Sequence, residues 1–303
     1  MYKVIDAHAH LVQVIAGIGS EGELRYTSKG KARYATGREF QMLPLEYQKG
    51  YVTCEDLLKK MDENNVEKAV LLQGNWWGFQ NLYSYDAYLK YPTRFKVAVS
   101  YDPFSFKKEA IKKHFFEELK IKVCKFELSS GSGTMANHLP FQINNEMMME
   151  EYKYLNDHNC ILTIDIGKCH SVSWQIDNLV KICQTFPNLT IVVCHLLACS
   201  INDFIILKES LQKLKFRNVF FDLAALTHNL APDAFPYPQS IKYIKEAIKI
   251  VGDNHLLFGS DFPSTLKDET YSNLINYIAE CNDLTKKEKE NILYNNSNNV
   301  YFR

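Results

Sequence analysis

Two histidines spaced two residues apart are the first sign of chemistry in this chain. They stand in Asp6-Ala7-His8-Ala9-His10, directly after the apolar pair Val4-Ile5. Side chains alternate faces along a strand, so His8 and His10 would point the same way. Two imidazoles side by side at a strand end are poor core material and good metal ligands. Other apolar runs also carry or end on ionisable residues: Lys125 and Glu127, again two apart, then Asp165, His195 and Asp261. Burying such groups together costs free energy unless they pair or bind a cation. Their types point to a divalent-metal site.

The elements that would position them recur along the chain. Apolar, β-branched runs occur at 3–9, 68–73, 95–101, 121–128, 161–166, 190–195, 218–223 and 256–261. Amphipathic segments with start and stop signals lie between them. Thr53-Cys54-Glu55-Asp56 resembles a capping box opening 57–64, and Ser105 precedes a helical segment reaching Leu119. Ser173 opens 174–186, stopped by Pro187, and Pro238 precedes 241–251, stopped by Gly252. Eight strands alternating with helices predict a (β/α)8 TIM barrel, one domain over 1–303, with its site at the C-terminal strand ends. An open doubly wound sheet would carry a glycine-rich loop after its first strand; His8-Ala9-His10-Leu11 stands there instead. Residues 13–50 are polar and glycine-containing (Gly17, Gly19, Gly22, Gly30 and Gly37 among them) and show no strong periodicity. They predict a long insertion after the first strand, serving as a substrate lid or a homo-oligomer contact.

Composition narrows the partners. Lys+Arg and Asp+Glu balance at 35 each, which gives no case for a nucleic-acid or membrane-surface partner. No apolar run reaches membrane-spanning length, and the first residues lack the apolar stretch of a secretory signal. The eight cysteines form no CxxC pair, so their spacing does not support a cysteine zinc site. They are expected to be reduced thiols in a cytoplasmic protein.

Three motifs in order carry a family resemblance: Asp6-Ala7-His8-Ala9-His10, Val192-Val193-Cys194-His195 and Phe258-Gly259-Ser260-Asp261-Phe262-Pro263. Together they resemble the amidohydrolase superfamily, within it the group that includes aminocarboxymuconate-semialdehyde decarboxylase. The ending Asn291-Ile292-Leu293-Tyr294-Asn295-Asn296-Ser297-Asn298-Asn299-Val300-Tyr301 is similar to that group's closing helix. The resemblance implies a zinc or manganese ion on His8, His10 and Asp261. It also implies that Asp261 handles the proton of the attacking water, and that His195 is a further ligand or a substrate-polarising group. Lys125 falls near the position carbamylated in some two-metal members, and Glu127 could serve there equally.

One position departs from the pattern. The family's strand-five ligand is usually a histidine, and Asp165 holds its place in Leu162-Thr163-Ile164-Asp165-Ile166-Gly167. A carboxylate can complete the site, shifting preference from zinc toward manganese. Alternatively His170 replaces the missing imidazole, or metal is lost, as in related pyrone-dicarboxylate lactonases. His228 follows the seventh run on the same side and is a candidate substrate contact. The expected activity is hydrolysis of an amide, lactone or ester. Non-oxidative decarboxylation ranks below it, because Asp165 adds negative charge against an anionic substrate. A catalytically silent binding barrel is the third reading.

Overall fold

Six consecutive buried residues form the first strand, β1 (Val4–Ala9). Burial on both faces is what a strand in a parallel sheet with two covered sides requires. A computed structural model describes residues 2–303. Seven further strands follow: β2 (Val66–Leu71), β3 (Phe95–Val99), β4 (Val123–Glu127), β5 (Ile161–Asp165), β6 (Thr190–Val193), β7 (Val219–Asp222) and β8 (Leu256–Leu257). They lie side by side in chain order, every ladder parallel. The seam between β8 and β1 closes beyond the end of β8. Ala7 N–H donates to the Phe258 carbonyl at 2.9 Å, His10 N–H to Phe262 at 2.7 Å, and Asp261 N–H to His8 at 2.8 Å. The result is a nearly closed eight-stranded barrel with helices between the strands, the (β/α)8 architecture.

The helices follow their sequence signals. Thr53 caps Cys54–Glu63 in a reciprocal box with Asp56. Pro238 opens Pro238–Val251, and Gly252 ends it at φ +96°. The segment after Ser105 starts three residues late, at Lys108–Lys112, and widens over Lys113–Glu118. Leu179, Ile182, Leu207, Leu211, Ile244 and Ala247 are buried from the helical layer, alongside the outward-facing strand residues.

The long insertion expected after β1 is present. It is a four-stranded antiparallel sheet, Ile18–Gly19, Gly22–Tyr26, Lys31–Tyr34 and Glu39–Gln41. Leu24, Ala32 and Tyr34 are its buried side chains, and Ser20 N–H donates to the Gly131 carbonyl at 2.9 Å, anchoring it over the loop after β4.

Candidate active site

His8 and His10 stand at the C-terminal end of β1, with their Nε2 atoms 3.2 Å apart. The closing seam brings Asp261 to them. Its Oδ1 lies 3.2 Å from His10 Nε2 and 3.6 Å from His8 Nε2. The other ring nitrogens are occupied. His8 Nδ1 is 3.0 Å from Asp222 Oδ2, and His10 Nδ1 is 3.0 Å from the Leu72 carbonyl. A carbonyl only accepts, so a neutral His10 carries its proton on Nδ1, and the carboxylate imposes the same tautomer on His8. Burial holds both imidazoles below their ordinary pKa, helped by positive charge on Lys125, and for His8 on His195. Three lone pairs therefore converge with no proton among them. Ligand atoms about 2.1 Å from a tetrahedral ion sit about 3.4 Å apart, so these three atoms fit a divalent metal.

A second group faces them across the barrel mouth. His195 occupies a left-handed turn running through Ala198, with φ +60° at His195 itself. Its N–H donates to Asp222 Oδ1 at 2.9 Å and its Nδ1 to the Ala224 carbonyl at 2.9 Å. Nε2 then points at Asp165, 3.6 Å from Oδ2. Burial lowers the proton affinity of this ring, and the carboxylates of Asp165, Asp222 and Asp261 more than reverse that. Lys125 is buried and makes no direct ion pair among the described residues. Burial pulls its pKa down, but Cys194, Glu127, Asp165 and Asp261 pull it up further, so the ammonium persists. Burial raises the Glu127 carboxyl to about 7, against the opposing pull of Lys125, and Ser132 Oγ–H donates to it at 2.7 Å.

These groups line a cavity of 390 Å³. Tyr34 and Arg38 of the inserted sheet and Trp76 and Trp77 after β2 wall it. A second lobe of 330 Å³ shares Ser132, Asp165, Lys168, His195 and Asp261 and extends to Ser130, His228 and Asn229.

Not every candidate joins the cluster. Asp165 stands apart from the three converging atoms, because its Oδ1 accepts the Gly167 N–H at 2.7 Å and its Oδ2 faces His195. His170 turns away to Asp203, 2.9 Å from its Oδ1. His228 lines the outer lobe, its Nδ1 3.5 Å from Asp268. Two carboxylates were missed. Asp222 ends β7 fully buried and holds both His8 and His195. Asp6, also fully buried, accepts from Ser260 Oγ at 2.5 Å, Tyr271 at 2.7 Å and the His8 N–H at 3.0 Å. Asp222 was readable as another acidic strand end. Only its burial reveals Asp6.

Known proteins share this architecture. A probable 2-pyrone-4,6-dicarboxylic acid hydrolase from Acinetobacter baumannii, solved with citric acid bound, is 17% identical. That alignment covers 99% of this chain and 100% of that one, with TM-score 0.69. An amidohydrolase from Burkholderia multivorans with bound zinc is 12% identical over 99% of each chain, TM-score 0.73. A 4-oxalomesaconate hydratase from Rhodopseudomonas palustris is 18% identical over 82% of this chain and 80% of its own, TM-score 0.57. None of the curated proteins matches the sequence. The model of the amidohydrolase family matches residues 5–303, and the chain belongs to that family.

Proposed function

We propose that the chain is a divalent-metal-dependent hydrolase acting on a lactone, ester or amide bond of a small carboxylate-bearing molecule. The observation that carries this reading is the convergence of His8 Nε2, His10 Nε2 and Asp261 Oδ1 within 3.2–3.6 Å of one another. Those three residues would hold a zinc or manganese ion. When bound, the ion supplies Lewis-acid activation of water and of the scissile carbonyl. Asp261 takes the proton of the attacking water and returns it to the leaving group. His195, whose proton affinity its three carboxylate neighbours raise against the effect of burial, donates to the carbonyl oxygen as charge develops there. The Ala224 carbonyl fixes the ring from its Nδ1 side, and Asp165, 3.6 Å from Nε2, favours the imidazolium by its charge, so in this reading it acts on His195 before it acts on the ion.

The substrate's charge follows from the lining. Asp165 was expected to disfavour an anion, yet Lys125, Lys168 and Arg38 border the same cavity. The buried Lys125 suits a carboxylate best. Trp76 and Trp77 suit a flat body beside it. The Acinetobacter relative, named for a dicarboxylic acid and solved with citric acid, accords with this choice. The same cations would also serve a decarboxylase, the second reading.

With eight free thiols and no helix among the described residues long and apolar enough to cross a membrane, we read the protein as cytoplasmic. The test is a panel of lactones, esters, amides and carboxylic acids assayed with zinc- or manganese-loaded enzyme. Ring opening or bond hydrolysis is expected, with kcat/KM lowered at least about a hundredfold in His8→Ala and Asp261→Asn. Carbon dioxide release without hydrolysis makes the protein a decarboxylase. Failure to retain metal, with His8→Ala behaving as wild type, overturns both.

A further inference from the structure

A second cluster of ligand atoms lies outside the cavity. Cys169, His170 and Asp203 each present one atom, all within 4.8 Å of one another. Cys169 and His170 follow β5, and Asp203 opens the helix Phe204–Lys213 after β6. The two loops touch through the Cys169 N–H and the Ala198 carbonyl, 3.5 Å apart. Asp203 is held in one orientation: Oδ2 accepts from Ser200 N–H at 2.9 Å and Ser200 Oγ–H at 2.5 Å, leaving Oδ1 toward His170 Nε2 at 2.9 Å. Ligating carboxylates are commonly fixed in this way by outer hydrogen bonds. The buried Cys199 sets a second sulfur against Cys169.

We propose that Cys169, His170 and Asp203 form a separate site for a borderline-soft divalent cation, zinc in the first instance. Thiolate, imidazole and carboxylate are the three donor types zinc accepts, and the sulfur discriminates against magnesium, calcium and manganese. Binding releases the Cys169 thiol proton to solvent and replaces the His170–Asp203 contact with two bonds to the ion, so affinity falls as pH falls. The ion would tie the loop carrying Lys168 to the segment after His195, bracing two walls of the cavity without touching substrate. Sequence spacing hides such a site, because His170 and Asp203 are 33 residues apart on loops that meet only in the folded barrel.

Cobalt(II) is the probe, added to chelator-stripped protein under a thiol-free reductant. Wild type should show a thiolate-to-cobalt charge-transfer band in the near ultraviolet. C169S and H170A should each lose that band and one equivalent of cobalt while keeping their circular dichroism. H8A should keep the band, whatever becomes of the ion at the barrel mouth, so this site and the proposed catalytic one are read separately. A wild-type protein that binds cobalt without the band, or a band that survives C169S, overturns the proposal.

Discussion

Asp222 decides which nitrogen of His8 faces the cavity. One of its oxygens accepts two backbone N–H groups, from His195 at 2.9 Å and Ala224 at 3.1 Å, and the other meets His8 Nδ1. Asp222→Asn keeps the shape and leaves a carbonyl for both backbone donors. Its amide nitrogen then donates to Nδ1, which moves the His8 proton to Nε2 and removes a lone pair from the proposed metal centre. Metal affinity is expected to fall about 10- to 100-fold with the melting temperature little changed, measured by competition with a chromogenic chelator. Unchanged affinity would mean that His8 does not ligate through Nε2. His8, His10 and Asp261 were visible in the sequence because strand alternation and position at an apolar run's end place such groups without knowledge of neighbours. Asp222 escaped because the run 218–223 extends one residue past the strand and ends on Leu223. Asp6 escaped for a different reason: its partners Ser260 and Tyr271 lie 254 and 265 residues away.

At the scale of elements, the barrel strands were legible because burial on both faces leaves continuous apolar runs. The inserted sheet was not, because its strands are two to five residues long and too few of their positions are buried to set a period. Yet this sheet delivers Arg38 to the cavity, its guanidinium paired with Glu21 and lying 4.9 Å from the Tyr34 ring centre. If the sheet is a wall that binds the substrate's carboxylate rather than a catalytic lid, R38A should raise KM about tenfold with kcat within about twofold. A fall in kcat at constant KM would contradict that role. The β8–β1 seam makes a sharper demand. A Cβ on Gly259 would stand 2.8 Å from His8 Cβ and 3.1 Å from Ala224 Cβ. Gly259→Ala must therefore push His8 out of line. It is expected to cost about 1–3 kcal/mol in denaturant unfolding and to weaken metal binding as well. Full metal affinity in that variant would show that the seam does not position His8.

A net charge of zero conceals how charge is sorted across the whole molecule. Lys125, Glu127 and Asp222, buried, and Asp165, His195 and Asp261, half-buried, gather at one end of the barrel, and the fold carries the cost of desolvating them together. Glu127 makes that cost measurable. Its carboxyl rises from an ordinary 4.5 to about 7, chiefly through burial. Between those values the folded protein holds a proton that the unfolded chain has released. Stability therefore falls as pH rises through this window, and the full burial cost is present above about 7. Glu127→Gln has no such proton, and its amide oxygen can still accept from Ser132 Oγ. In metal-free protein the variant should gain on wild type steadily from about pH 4.5 to 7 and hold a constant margin above. A difference on the order of 1–3 kcal/mol is expected from urea unfolding across a pH series. A margin that does not change with pH would show that Glu127 is already ionised in the fold at pH 5, with the Lys125 ammonium outweighing burial.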